Sequence, residues 1–362
     1  MSGDDLARRD AVLARVEAWR RRAPTLRDEH ITMAHGAGGS ASRSLLEAVF
    51  QPAFSNPALD RLEDGAVLDV PPGHRLAMST DAFVVTPRRF PGGSLGDLAV
   101  NGTINDLAAM GAVPTALAVS FVLEEGLAVA ELRELVADVA AAAAAAGAPV
   151  VTGDTKVVER GAADGCYVTT TGVGLVPTGL ALGAASVRPG DAVVLSGPIG
   201  DHGVAVMIAR GDLALQSDVR SDTAPLHGLV AAVLDAVPDT RWLRDPTRGG
   251  VASALNELAV AADLGVRITE TRLPVRPAVA GACELLGLDP LHIANEGKMI
   301  AVVPADRADD AVAAMVASGH GEGACVIGSI TDEHPNLVVV DTPYGGTRIL
   351  DMLVGDPLPR IC

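Results

Sequence analysis

The chain closes on Asp356-Pro357-Leu358-Pro359-Arg360-Ile361-Cys362, so its last side chain is a thiol. Pro357 and Pro359 each fix their own φ, bias the preceding residue toward extended geometry and remove a backbone donor. The tail reads as a stiff extended arm, and about six residues at ~3.3 Å each reach ~20 Å. A thiol on such an arm suits a carrier of a covalently held group. The plain alternative is a frayed terminus that happens to end in Cys. Asp81 (in Met78-Ser79-Thr80-Asp81), Asp106 (in Asn101-Gly102-Thr103-Ile104-Asn105-Asp106) and Asp154 (in Thr152-Gly153-Asp154-Thr155-Lys156) sit where a strand end or a helix aims a carboxylate outward. Strand ends of α/β sheets are favoured ligand positions. Magnesium takes hard oxygen ligands and meets phosphates through one or two carboxylates. The alternative is a solvated helix face plus turn aspartates.

Other motifs extend this set. His35-Gly36-Ala37-Gly38-Gly39-Ser40 is a glycine-rich loop leading into a helix at Ser42 to Phe50. Its backbone N–H groups suit phosphate, although it matches neither the Walker A nor the Rossmann pattern. A flexible turn is the other reading. Asp97, Asn101 and Asn105 recur at four-residue spacing and form one polar stripe, with Gly102 leaving room for a ligand below Asp106. Asp245-Pro246-Thr247-Arg248-Gly249-Gly250 places an acid, a hydroxyl and glycines at a helix start, where Asp245 is either a ligand or a cap. Asn295-Glu296-Gly297-Lys298 is a turn before a strand, carrying either a general base or nothing but turn chemistry. Gly197 to Gly203 forms a further glycine-rich strand-to-helix turn, read as structural.

The elements that must position these groups read as mixed α/β. The 362 residues fit two domains, with 2% aromatics and a core of Ala, Val, Leu and Ile. A formal charge of −17 argues against nucleic acid or an anionic membrane surface as partner. Cys166, Cys283, Cys325 and Cys362 are scattered, without a zinc spacing. With no apparent leader and no long apolar run, a reduced cytoplasmic compartment is expected. Residues 1–22 read as an amphipathic helix ahead of the body. Strands are expected at Arg75–Met78 and Phe83–Val85. A helix is expected at 97–110 with Asp97 as its cap, and another is expected to end at Gly147. A boundary near 176–186 precedes a second α/β series.

Together, in this order, these motifs resemble the aminoimidazole-ribotide-synthetase-like (PurM-like) ATP-binding superfamily, and within it the HypE family of hydrogenase maturation proteins. The terminal Pro359-Arg360-Ile361-Cys362 carries the second step. The resemblance spans roughly residues 31–362. It implies an α+β / α/β, PurM-like two-domain fold with a ferredoxin-like N-terminal domain that dimerises through its sheets. The expected division is 1–30 extension, 31–176 ATP-binding domain, 177–350 C-terminal domain and 351–362 tail. It further implies ATP and Mg2+, with Asp81, Asp106 and Asp154, and less firmly Asp245, on metal and phosphate. Gly38, Gly39, Asn101, Asn105 and Thr155 are expected around the nucleotide. Lys156 and Glu296 become the catalytic candidates, with Cys362 as attachment point.

The implied reaction loads a carbamoyl group on the thiol through the carbamoyltransferase HypF. ATP-driven dehydration then gives a thiocyanate, and cyanide passes through the HypC–HypD iron scaffold to nickel–iron hydrogenase. Selenophosphate synthetase is a rival, but its reactive Cys near the glycine-rich segment is replaced here by His35-Gly36. Aminoimidazole ribotide synthetase gives no reason for a terminal Cys. A non-catalytic thiol carrier needs no ATP site.

Overall fold

The computed structural model describes residues 26–37, 39–62, 65–211, 217–352 and 361. The expected helix over 1–22, Gly38, Cys362 and most of the arm lie outside the described residues. Two sheets divide the chain. The first has the order β1 (His74–Phe83), β6 (Cys166–Pro177), β4 (Val113–Glu124), β5 (Val150–Val158). β1–β6 and β6–β4 are antiparallel and β4–β5 is parallel. A short β2–β3 hairpin (Arg89–Phe90, Gly93–Ser94) precedes the Leu95–Ala109 helix.

Period-two alternation makes this a one-sided sheet. β6 alternates buried and half-buried residues along its length. The buried side meets the Leu95–Ala109 helix, against which the Val129–Ala145 helix packs, and apolar residues of that second helix share one core with β4. The other side carries Leu76 and Met78 in β1, which are 57% and 72% exposed.

The Leu95–Ala109 helix is buried nearly all round: thirteen of its fifteen residues are buried, the polar Asn101, Thr103 and Asn105 among them. Such a helix needs partners on every side. It packs on the first sheet and also on the His227–Ala236 helix of the second unit. It starts at Ser94, whose hydroxyl accepts from the N–H groups of Gly96 and Asp97. The cap is therefore Ser94, because Asp97 already lies in the first turn.

The second sheet runs β13 (Thr347–Leu350), β12 (Val338–Asp341), β9 (Gly265–Thr269), β11 (Cys325–Thr331), β7 (Ala192–Leu195), β10 (Ile300–Val303), β8 (Trp242–Arg244). It is antiparallel except for β12–β9. The Gly250–Ala262 helix packs against β9 and β12, and Ala308–Ala317 against β7 and β11. The expected strands Arg75–Met78 and Phe83–Val85 are a single strand, β1, which ends at Phe83.

Candidate functional site

The end of β1, the last turn of the Leu95–Ala109 helix, the loop before Gly250 and the turn at Glu296 bring acids together. Ser79 Oγ donates to Asp106 Oδ2 at 2.6 Å. Asp81 Oδ1 lies 3.7 Å from Arg248 Nη2. Burial, partly offset by the Ala82 N–H and Arg248, raises the Asp81 carboxyl, and Asp106 raises it further. Asp245 is 7% exposed, and burial, then Asp106 and Asp81, push its carboxyl up to about 7. Glu296 is 2% exposed, with Oε1 lacking any hydrogen-bond partner. Burial, then Asp245, Asp222 and Asp81, hold it well above the usual carboxylate range, against the pull of Arg248. Acids that raise one another in this way take up protons or a cation. Among the described residues no His, Cys, Asp and Glu trio closes on a metal ion by itself. The donors suit a hard divalent cation whose remaining positions go to water and phosphate.

Asp154 and Lys156 stand apart from this cluster. Asp81 aligns with Thr170, Val119 and Gly153 across the sheet, whereas Asp154 aligns with Ser120, Thr169 and Ala82. β1 and β5 are the two edges, three strand spacings or about 14 Å apart. Alternation puts Asp81 on the helix side and Asp154 and Lys156 on the open side. Within one chain the expected set Asp81, Asp106, Asp154 therefore does not share an ion, because sequence spacing does not reveal strand order. Asp154, Thr155 and Lys156 instead border a cavity of about 540 Å³ with His35, Gly39 and Phe121. The glycine loop lies on this strand: a Cβ at Gly36 would fall 2.8 Å from the Val157 backbone N.

The stripe on the Leu95–Ala109 helix faces protein. Asn101 Nδ2 donates to Thr223 Oγ1 at 3.1 Å. Asn105 Nδ2 donates to the carbonyls of Ala224 (3.1 Å) and Glu296 (3.2 Å), and Asn105 Oδ1 accepts from Leu226 N–H at 2.7 Å. Both are buried, so the expectation that they contact nucleotide is corrected: they fasten the second unit, and Asn105 holds the backbone of Glu296. The space at Gly102 belongs to the Phe83 ring, 2.7 Å from where a Cβ would stand. Asp245 caps no helix, since Gly249 precedes the Gly250–Ala262 helix. Cys166 is buried in β6, and burial pushes its thiol up to about 12, leaving it no reactive role.

Two family models cover the chain, the N-terminal domain of AIR synthase related proteins over residues 62–176 and the C-terminal domain over 188–340. Carbamoyl dehydratase HypE of Rhodobacter capsulatus is 54% identical over 340 residues, 93% of this chain and 99% of the relative. The chain belongs to the HypE family of carbamoyl dehydratases. A crystal structure of HypE in complex with ATP superposes with a TM-score of 0.88 at 45% identity, covering 91% of this chain and 99% of that one. The chain in a HypE–HypF complex does so with 0.75 at 43% identity, covering 86% and 100%.

Near the end of the chain, Ile361 is held in a place that sequence reasoning did not look at. Ile361 is 3% exposed, in the same buried cluster as Phe90, Val206 and Ala294. Its carbonyl lies 2.9 Å from His202 Nε2. Asp222 also went unremarked. Its Oδ1 accepts from the Glu296 N–H at 3.0 Å, and its Oδ2 lies 3.1 Å from Lys298 Nζ. The one available signal was Gly297, whose missing side chain lets the chain pass against the Asp222 carbonyl. His202 lies in the first turn of the Asp201–Arg210 helix, at the end of the glycine-rich segment that had been read as structural.

Proposed function

We propose that the chain uses ATP to dehydrate a carbamoyl group carried on Cys362, and supplies cyanide to the iron of nickel–iron hydrogenase. The observation that carries the reading is the short path from the seated tail to Glu296. Ile361 meets His202, His202 meets Ser221, and the next residue, Asp222, holds the Glu296 N–H. An amide oxygen leaves poorly, so it is first phosphorylated. The carbonyl oxygen attacks the γ-phosphorus, the bond to ADP breaks, and an imidate phosphate results. The C–O bond then breaks with loss of phosphate, and two N–H protons depart to leave C≡N.

Glu296 is the proposed base. In the resting cluster burial first, and then the neighbouring carboxylates, disfavour its charged form. A cation on Asp81 and Asp245 would remove their share of that shift and move Glu296 toward the carboxylate form that accepts a proton. Asp81, Asp106 and Asp245 fit Mg2+, which would offset charge on the phosphates. Asp154, Thr155 and the Gly38-Gly39 loop fit the nucleotide, and Lys156 orients the amide or offsets phosphate charge.

The separation of Asp81 from Asp154 is met by a homodimer paired through the open sheet faces, so that one chain's β5 edge approaches the other's β1 end. The exposed Leu76 and Met78 support that face as the contact. HypF is the proposed loading partner and HypC–HypD the acceptor, in the cytoplasm; the HypE–HypF complex of the relative supports the first. Mass spectrometry of the C-terminal peptide tests the function. Carbamoylated protein given magnesium and ATP is expected to lose one water at Cys362, and Glu296→Gln is expected to block the loss. A carbamoyl peptide that persists in the unaltered protein overturns the dehydratase reading. Equal conversion in Glu296→Gln removes Glu296 as base.

A further inference from the structure

Ile361 contributes the last amide carbonyl before the thiol-bearing residue, and among the described residues that carbonyl has one side-chain partner, His202 Nε2 at 2.9 Å. His202 is fully buried. The state of its ring follows from a chain of hydrogen bonds. Ser221 Oγ accepts from the Thr223 N–H at 3.1 Å and lies 2.8 Å from His202 Nδ1. The hydroxyl has a single proton, and Nδ1 is the acceptor in reach, so Ser221 donates to Nδ1. Nε2 then carries the ring proton and donates it to the Ile361 carbonyl. Burial favours this neutral form and lowers the imidazole's affinity for a second proton.

The ring is also fixed in place. Phe90 meets it edge-on, with centroids 5.6 Å apart and planes at 82°. Ser221 N–H donates to the Pro91 carbonyl at 2.7 Å. Gly92 lies so close that a Cβ there would fall 2.6 Å from the Ser221 carbonyl oxygen. Thus the β2–β3 hairpin of the first unit and the 221–223 segment together orient an imidazole on the second unit. The same segment continues into Asp222, which holds the backbone of Glu296. Tail seat and proposed base therefore hang from consecutive residues.

We infer that His202 is the positioning residue for the C-terminal tail, its Nε2–H gripping the Ile361 carbonyl so that the group on Cys362 is registered against Glu296. This rests on the dehydratase reading above. His202 does not touch the reacting atoms. Its part is to make the seated tail the favoured state.

The test uses the full-length protein in two arms. In the first, Cys362 is alkylated with iodoacetamide and followed at the C-terminal peptide, for wild type, His202→Leu, His202→Gln and Ser221→Ala. His202→Leu is expected to be alkylated faster, by about tenfold for one lost hydrogen bond. His202→Gln keeps an N–H donor and is expected to return most of the protection. Ser221→Ala leaves the ring in place but unfixed and is expected to fall between. In the second arm, carbamoylated protein is mixed with magnesium and ATP. His202→Leu is expected to slow single-turnover loss of water by a similar factor while ATP affinity stays within about twofold. Equal alkylation of wild type and His202→Leu overturns the inference, as does loss of ATP affinity in step with the rate. If the wild type itself fails to convert, the dehydratase reading falls, and the alkylation arm still decides the seat.

Discussion

A dimer whose site is shared between chains makes a quantitative prediction. Asp81 and Asp154 lie on opposite edges of a four-stranded sheet, about 14 Å apart, and on opposite faces. Ligands of one magnesium ion lie about 2 Å from it, so their oxygens are at most about 4 Å from each other. A triphosphate held by both residues of one chain would have to pass around the sheet. Asp81→Asn and Asp154→Asn are each expected to lower dehydration by roughly a hundredfold or more, the scale of losing a preorganised electrostatic contact. A heterodimer carrying one change on each chain, purified through two different affinity tags, is expected to behave otherwise. One of its sites has both defects and the other has neither, so about half of the wild-type turnover per dimer returns. The assay is ATP-dependent loss of water from the carbamoyl peptide, normalised to dimer. An inactive heterodimer means that both aspartates act within one chain, and the shared-site argument fails.

Two further outcomes follow from the interior. Asn105→Ala strands the buried Leu226 N–H and two carbonyls and is expected to cost about 3 kcal/mol, with a Tm lower by several degrees; an unchanged Tm contradicts the role given to this side chain. The Asp245 carboxyl is pushed up to about 7, so between its ordinary pKa and that value the folded state holds a proton that the unfolded state has lost. This stabilisation of the protonated form fades as pH rises through about 7. Asp245→Asn is therefore expected to raise Tm more at pH 8 than at pH 5, and a pH-independent difference in Tm goes against it.

Much of the fold was readable because its signals are local. The β-branched, alternating run of β6 and the Gly-flanked helices ending near Gly111 and Gly147 declared themselves by period and punctuation. Asp81, Asp106 and, less firmly, Asp245 were singled out by their motifs as ligands and Glu296 separately as a base, but their gathering in one place came only from the fold. What failed depended on the third dimension. The Asn101–Asn105 stripe has the spacing of a polar face, and nothing along the chain says that a second unit lies on it. Gly102 left space, but the Phe83 ring fills it. Asp154 resembled Asp81 in context, and only strand order separates them. His202 had no sequence signature, because its partner is a backbone carbonyl 159 residues away.

The fastening of Glu296 through Asn105 constrains how the molecule works. A helix buried on nearly every side, stitched to the second unit by Asn101 and Asn105, leaves no hinge between the sheets. Opening the units would break those bonds and displace Glu296 with them. The catalytic framework is thus a fixed frame rather than a jaw. On the proposed function, traffic between loading and dehydration would fall to the chain's own terminus, which among the described residues is held by the His202 contact and the burial of Ile361. The body would then stay assembled through every cycle, with only its last residues changing place.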